Sequence, residues 1–215
     1  MKIAAVIFDL NGTILDDERV YDIAFNNVLA SLGVDTSVPI PHERGIGVRE
    51  NWTKYRAKYN FKTDKTDEEL ALLTQTEYIK QLGSITLQPG FEDFLGRLKD
   101  SGVRTGLATS NTWEVTMKVL EKVNLIDAFE SITTTEEVTL NKPAPDIFLV
   151  AADKLGVEGY ECLVIEDAES GVAAAHAAGM KVIAIVSDGH FERVSKADLV
   201  VERFSEITPE VIDQL

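Results

Sequence analysis

Four short stretches place oxygen- and nitrogen-bearing side chains at or just after apolar runs. They are Asp9 and Asn11 in "FDLNGT", Ser110 and Asn111 closing "VRTGLATSN", Lys142 in "NKPAPDIF", and Glu166 with Asp167 ending "CLVIED". If the runs are parallel strands, their C-terminal ends converge on one edge and gather three carboxylates, a lysine and a hydroxyl. Clustered carboxylates are the hard oxygen ligands that a divalent cation takes. Lys142 and Ser110, with Asn111 beside it, could hold a phosphoryl group. Metal and lysine together would offset the charge that keeps an anionic substrate from an anionic nucleophile. Asp9 would then attack phosphorus and form an aspartyl-phosphate, splitting one hard displacement into two. Gly12 and Thr13 suit close approach of the backbone to phosphate oxygens. Singly, each residue has a plainer reading: Asp167 or Ser110 could cap the next helix, and a lysine before Pro-Ala-Pro is commonly a surface residue. The conjunction of four strand ends or adjoining loops carries the chemistry.

Positioning these residues requires a particular fold. Short β-branched runs recur at "KIAAVIFDL", "VRTGLATS", "CLVIED", "KVIAIV" and "ADLVV", with helical patterns at 91–101, 112–124, 144–155 and 170–178 between them. Strands apolar on both faces and alternating with helices predict a parallel sheet covered on both sides. The fold class is therefore α/β, a doubly wound Rossmann-like core that binds ligands beyond the C-terminal strand ends. Residues 17–85 break the alternation. Val20, Ile23, Ala24, Val28, Leu29 and Leu32 recur at helical spacing, and "RENWTKYRAKY" and "DEELALLTQTEYIKQL" are helical again. The organisation predicted is a core of residues 1–16 and 86–215 with an all-helical unit of residues 17–85 inserted after the first strand. Neither a Walker loop nor a GxGxxG fingerprint is present.

Composition narrows the function classes. The 215 residues carry a net charge of −15, which argues against nucleic-acid and anionic-membrane partners. An acidic protein that handles phosphate needs a local remedy of the kind described, a metal ion and placed donors. No apolar run approaches the roughly 18 residues of a membrane span, and the N-terminal run lacks a signal-peptide cleavage pattern. The single cysteine, Cys162, cannot form an internal disulfide and reads as a small core residue, which fits a cytoplasmic location. The three histidines share no spacing suited to a metal.

The stretches "DLNGT", "ATSN", "NKPAPDIF" and "VIEDAESGVAAAHAAGM" resemble the four ordered motifs of the haloacid dehalogenase-like superfamily, over the whole chain. The subgroup most similar contains phosphatases and β-phosphoglucomutase-like enzymes with a helical cap inserted after the first motif. The resemblance implies that Asp9 is nucleophile and Mg²⁺ ligand, that Ser110 and Lys142 bind the phosphoryl group, and that Glu166 and Asp167 complete the metal site. It implies a cap that closes over the site and selects a small phosphorylated metabolite. Position 11 departs from the pattern: the family's phosphatases and mutases carry there a second Asp, the general acid and base, whose backbone carbonyl also ligates the metal. An amide keeps the carbonyl and loses the proton work, which contributes roughly 10²–10⁴-fold. Asn11 therefore admits an engineered substitution, a slow natural variant, or a protein that binds phosphorylated ligands without turnover. In the mutase branch a cap-loop arginine and a histidine soon after the first motif assist. Here Arg44 and Arg49 are on offer, Arg49 slightly out of register, and "LDDERVYD" has no histidine, which favours a phosphatase over a mutase. A dehalogenase would not need the Glu166–Asp167 pair.

Overall fold

The computed structural model describes residues 3–59, 61–187 and 189–215. Strand β1 (Ala5–Phe8) is buried along its whole length. Its alternate residues serve two cores: Ala5 and Ile7 face one, Val6 and Phe8 the other. Such double burial is why the run reads as continuously apolar rather than alternating. β1 pairs in parallel with β4 (Arg104–Ala108) on one side and β6 (Cys162–Glu166) on the other. The sheet continues outward to β5 (Ser131–Thr133) beyond β4, and to β7 (Lys181–Ile185) and β8 (Leu199–Val201) beyond β6. The chain winds outward from β1 in one direction and returns to wind in the other, so the strand order reverses at the centre. In such sheets the crevice at the carboxyl ends of the central strands is the ligand site.

Helices α4 (Phe91–Asp100) and α5 (Trp113–Lys122) cover the Phe8 face. Helices α6 (Asp146–Leu155) and α7 (Glu169–Ala177) cover the Ile7 face. Phe8 stands edge-on to Phe91 and Phe94, with ring centroids at 5.6 and 6.0 Å. Burying such a ring stabilises by about 1.5–3 kcal/mol, and its position one residue before Asp9 fixes the end of β1. Edge strand β5 has no counterpart among the runs read from the sequence, because two of its three residues, Ser131 and Thr133, carry hydroxyls.

Between the short strands β2 (Leu15–Asp16) and β3 (Thr86–Leu87), which pair antiparallel outside the main sheet, lie three helices: α1 (Glu18–Ser31), α2 (Val48–Lys58) and α3 (Asp67–Ile79). Helix α3 starts at a capping box in which Thr66 and Glu69 satisfy each other's backbone N–H groups. Trp52 of α2 is fully buried and its indole N–H donates to Thr74 Oγ1 of α3 at 2.9 Å. Helix α1 supplies Tyr21, Ala24, Phe25, Val28 and Leu29 to the same interior. A short last helix, α8, spans Pro209–Ile212. Among the described residues no helix is long and apolar enough to cross a membrane.

Candidate active site

Asp9 follows β1 and Glu166 ends β6, so the neighbouring strands deliver the two carboxylates to one place. Lys142, from the loop before α6, lies between them: its Nζ is 2.5 Å from Asp9 Oδ1 and 2.7 Å from Glu166 Oε1. Burial works against the ammonium, but the two carboxylates outweigh it and raise its pKa. Burial also pushes the Asp9 carboxyl up to about 7, against the pull of Lys142. Asp167 sits beside them with its pKa raised well above the carboxylate range, by burial first and then by Glu18, Glu166 and Asp9. Oxygens of Asp9, Glu166 and Asp167 all lie within 4.8 Å of one another. Three buried carboxylates around one lysine leave negative charge uncompensated, and their hard oxygen donors fit a divalent cation.

Glu166 is seated by the start of α7. Its Oε2 accepts from the backbone N–H of Asp167 at 2.8 Å and of Ala168 at 2.9 Å. A Cβ on Gly171 would stand 1.8 Å from Glu166 Oε1, so glycine is required for the helix to pass over the carboxylate. Gly171→Ala is expected to cost about 1–3 kcal/mol of stability through overpacking and to drag Glu166 off Lys142. A urea melt and an activity assay on the same variant check both effects.

Asn11 is tied on every side. Its Nδ2 donates to Asp17 Oδ2 at 2.5 Å and to Tyr78 Oη at 3.3 Å, while its Oδ1 accepts from Asn111 Nδ2 at 2.8 Å. Asp17 also accepts from the Gly12 backbone N–H at 3.1 Å and from Tyr78 Oη at 2.5 Å. Burial pushes the Asp17 carboxyl up to about 7, against the hydrogen bond from Tyr78. Tyr21 closes the ring of contacts. Its hydroxyl donates to Asn111 Oδ1 at 2.8 Å, and its face stacks on Tyr78 with centroids 4.0 Å apart.

A pocket of about 40 Å³ opens between the sheet edge and the helices. Asp9, Asn11, Ser110 and Asn111 line it from the sheet side, and Glu18, Tyr21 and His42 from the helical side. The loop entering α2 roofs it. Gly45 accepts a hydrogen bond through its carbonyl from Ser170 Oγ at 2.8 Å, and Glu50 Oε1 accepts from Asn141 Nδ2 at 2.8 Å. Gly45 has φ +73, and a Cβ there would stand 2.3 Å from that of Ala168.

Of the residues singled out in the sequence, Asp9, Asn11, Ser110, Asn111, Lys142, Glu166 and Asp167 come together here. Gly12 and Thr13 are placed differently from the expectation. The Gly12 N–H is taken by Asp17, and Thr13 is fully buried with its hydroxyl donating to Asp167 Oδ1 at 3.2 Å. Arg49 is not brought to the pocket. Its guanidinium is 2.7 Å from Glu68 on the outer side of α2, and both side chains are largely exposed. Helix α2 buries Val48, Asn51, Trp52 and Tyr55, and residue 49 falls about 100° away from that stripe. Asp17, Glu18, Tyr21 and His42 were missed. The acids of "LDDERVYD" were a visible signal, since acids gather in a helix's first turn, but nothing in the string points them at Asp9.

Known proteins resemble this chain over most of its length. A family model described as haloacid dehalogenase-like hydrolase matches residues 3–179. β-Phosphoglucomutase of Bacillus subtilis is 30% identical over 220 residues, covering 98% of this chain and 94% of that one. Hexitol phosphatase B of Escherichia coli is 29% identical over 214 residues, covering 96% and 95%. Among solved structures, CbbY from Rhodobacter sphaeroides in complex with phosphate superposes with a TM-score of 0.85 at 24% identity, covering 98% of this chain and 99% of that one.

Proposed function

The chain belongs to the haloacid dehalogenase-like hydrolases, and from that membership we propose a Mg²⁺-dependent phosphatase that works through an aspartyl-phosphate at Asp9. It is a phosphoric monoester hydrolase whose relatives are a hexitol phosphatase and a phosphoglucomutase, so the substrate class is phosphorylated sugars and similar small metabolites. The observation that carries the reading is Lys142 bridging Asp9 and Glu166 at the edge where Asp167 completes an acidic cluster. Asp9, Glu166 and Asp167 would hold the metal ion, together with the Asn11 backbone carbonyl that the family pattern implies. When bound, the ion supplies charge neutralisation between a phosphate dianion and the carboxylates.

The protein's own groups do the rest. Lys142 holds Asp9 by one oxygen, which leaves the other for attack on phosphorus. A bond forms between that oxygen and phosphorus as the bond to the sugar oxygen breaks, and the sugar leaves as an alkoxide that must be protonated. Water then attacks the phosphorus of the aspartyl-phosphate, releasing phosphate and restoring the Asp9 carboxylate. Ser110 and Lys142 steady the phosphoryl oxygens in both steps. Residues 12 and 49, placed as described, are not assigned to phosphate. The roof over the small pocket excludes water from the reaction and must open to admit a sugar phosphate.

The test is phosphate release from a panel of hexose, hexitol and pentose phosphates with and without Mg²⁺, paired with intact-mass measurement. Expected are Mg²⁺-dependent turnover and a phosphate adduct that Asp9→Asn abolishes. Release that survives Asp9→Asn would sink the mechanism.

A further inference from the structure

An alkoxide leaves and a water attacks, yet position 11, where the family pattern has its proton carrier, is an amide. Both amide hydrogens of Asn11 are already given to Asp17 and Tyr78. The other pocket groups narrow the choice. Asp9 is the nucleophile. The Tyr21 hydroxyl is engaged with Asn111, and burial with nearby acids drives its pKa well above 10. Glu18 and His42 remain.

Glu18 is the first residue of α1, and its side chain lines the same pocket as Asp9, Asn11 and Ser110. Its Oε2 is 3.0 Å from His42 Nε2 and 3.0 Å from Arg44 Nε. His42 is gripped on its other edge as well. Its Nδ1 is 2.7 Å from Asp22 Oδ1, and the same oxygen accepts the His42 backbone N–H at 2.9 Å. The ring stacks on Phe25, with centroids 5.5 Å apart and planes 16° apart. The imidazole therefore has one orientation, with Nδ1 committed to Asp22 and Nε2 in charge contact with Glu18 Oε2, a buried oxygen that accepts no hydrogen bond.

We propose that the Glu18–His42 pair carries the proton of this reaction, Glu18 as the catalytic carboxyl facing the leaving oxygen and His42 as the positioning residue that keeps a proton behind it. The inference rests on the phosphatase reading. As the phosphorus–oxygen bond to the sugar breaks, the alkoxide takes a proton from the pair through Glu18, and His42 ends neutral. As water attacks the aspartyl-phosphate, its proton returns through Glu18 and the imidazolium is restored. No further co-reactant is needed, and the pair starts each cycle as it began the last.

The surroundings keep the pair loaded. Burial alone would lower the pKa of His42, but Asp22 and Glu18 outweigh it and raise it to about 9. The groups that face the pair are Asp22 from α1, Arg44 from the same loop, the Tyr21 ring at 5.8 Å, and Tyr55 of α2, whose hydroxyl donates to the Pro41 carbonyl. Glu43 on the loop is paired with Lys54. From the core side, Asp9, Asp17 and Asp167 all feel the charge of Glu18.

Two substrates separate the outcomes: a hexitol phosphate, whose alkoxide must be protonated, and p-nitrophenyl phosphate, whose phenolate leaves without help. In Glu18→Gln, kcat/KM for the hexitol phosphate should fall by about 10²–10⁴-fold, with a loss within about tenfold for the aryl ester. With the aryl ester, phosphate should accumulate on Asp9, because the leaving step is spared while the water step loses its base. Glu18→Asp should recover part of the loss, and that recovery excludes simple misfolding. In the wild type, hexitol phosphate turnover should decline as pH rises through about 9, and His42→Gln should remove that limb. Equal losses on both substrates, or a raised KM with unchanged kcat, would overturn the assignment while leaving the phosphatase reading standing. A wild-type protein inert towards both esters would bring down the reading and the inference together.

Discussion

Replacing Lys142 with alanine is expected to abolish measurable turnover and to weaken the fold in the same step. The side chain is 1% exposed and touches Asp9 and Glu166 at once, with its ammonium 5.0 Å from the centre of the Phe148 ring. Without it, two carboxylates remain buried with no cation between them. Removing one partner of a buried pair costs about 3–5 kcal/mol because the other charge is stranded. On the chemical side, losing one placed donor to a phosphoryl oxygen typically lowers kcat by about 10²–10³-fold, and here the nucleophile's orientation goes with it. Phosphate release and the urea midpoint, measured on one preparation, test both halves. An unchanged midpoint would mean that Asp9 and Glu166 are neutral or hydrated without the lysine, and the electrostatic account of the site would have to be abandoned.

The second large effect comes from Asn11→Asp. The family pattern invites the expectation that the acid simply restores activity, but the structure places Asp17 Oδ2 2.5 Å from the amide nitrogen to be replaced. Two carboxylates in contact cannot both ionise cheaply. At pH 8 the variant should lose about 3 kcal/mol or more, by the measure of an uncompensated buried charge. The sign with pH is definite. The Asp17 carboxyl already sits at about 7 in the folded protein, above its unfolded value, and a second acid raises the pair further. The loss is therefore small near pH 5, where a protonated carboxyl donates as the amide did, and grows as pH rises through that range. Exchanging the two, Asn11→Asp with Asp17→Asn, rebuilds the carboxylate–amide pair in the opposite sense and should return most of the stability. A double-mutant cycle by urea denaturation at pH 5 and pH 8 measures this coupling. If Asn11→Asp alone is as stable as the wild type at pH 8, the two side chains do not meet as described.

These two cases show which parts of the molecule local sequence can reveal. Strands β1, β4, β6 and β7 were legible because burial on both faces writes a largely apolar run, and β8 because its three residues are all apolar. Asp9, Lys142, Glu166 and Asp167 could be placed because strand ends in a parallel sheet share an edge, whatever the lengths of the connections. Edge strand β5 left no such mark, because two of the three residues of Ser131–Thr133 carry hydroxyls and no apolar run forms. The helical side of the pocket was harder. Its residues meet Asp9 only through packing of α1 and the following loop, and no local pattern encodes that docking. Arg49 was nonetheless decidable, since Val48, Asn51, Trp52 and Tyr55 mark the buried stripe of α2 and leave residue 49 off it. Asp17 was the costliest omission. Read alone it is one acid among three, yet it is the partner that makes an amide at position 11 fit.

The roof over the pocket is fastened to the same chain segments that build the acidic cluster. Two hydrogen bonds tie the start of α2 and the loop entering it to the core, Ser170 to Gly45 and Asn141 to Glu50. Each is worth about 1 kcal/mol net of water. Together they contribute about 2 kcal/mol to holding the roof in place. Lifting the roof exchanges both bonds for bonds to water. Asn141 precedes Lys142, and Ser170 lies three residues beyond Asp167. The contacts that hold the roof are therefore made by chain neighbours of Lys142 and Asp167.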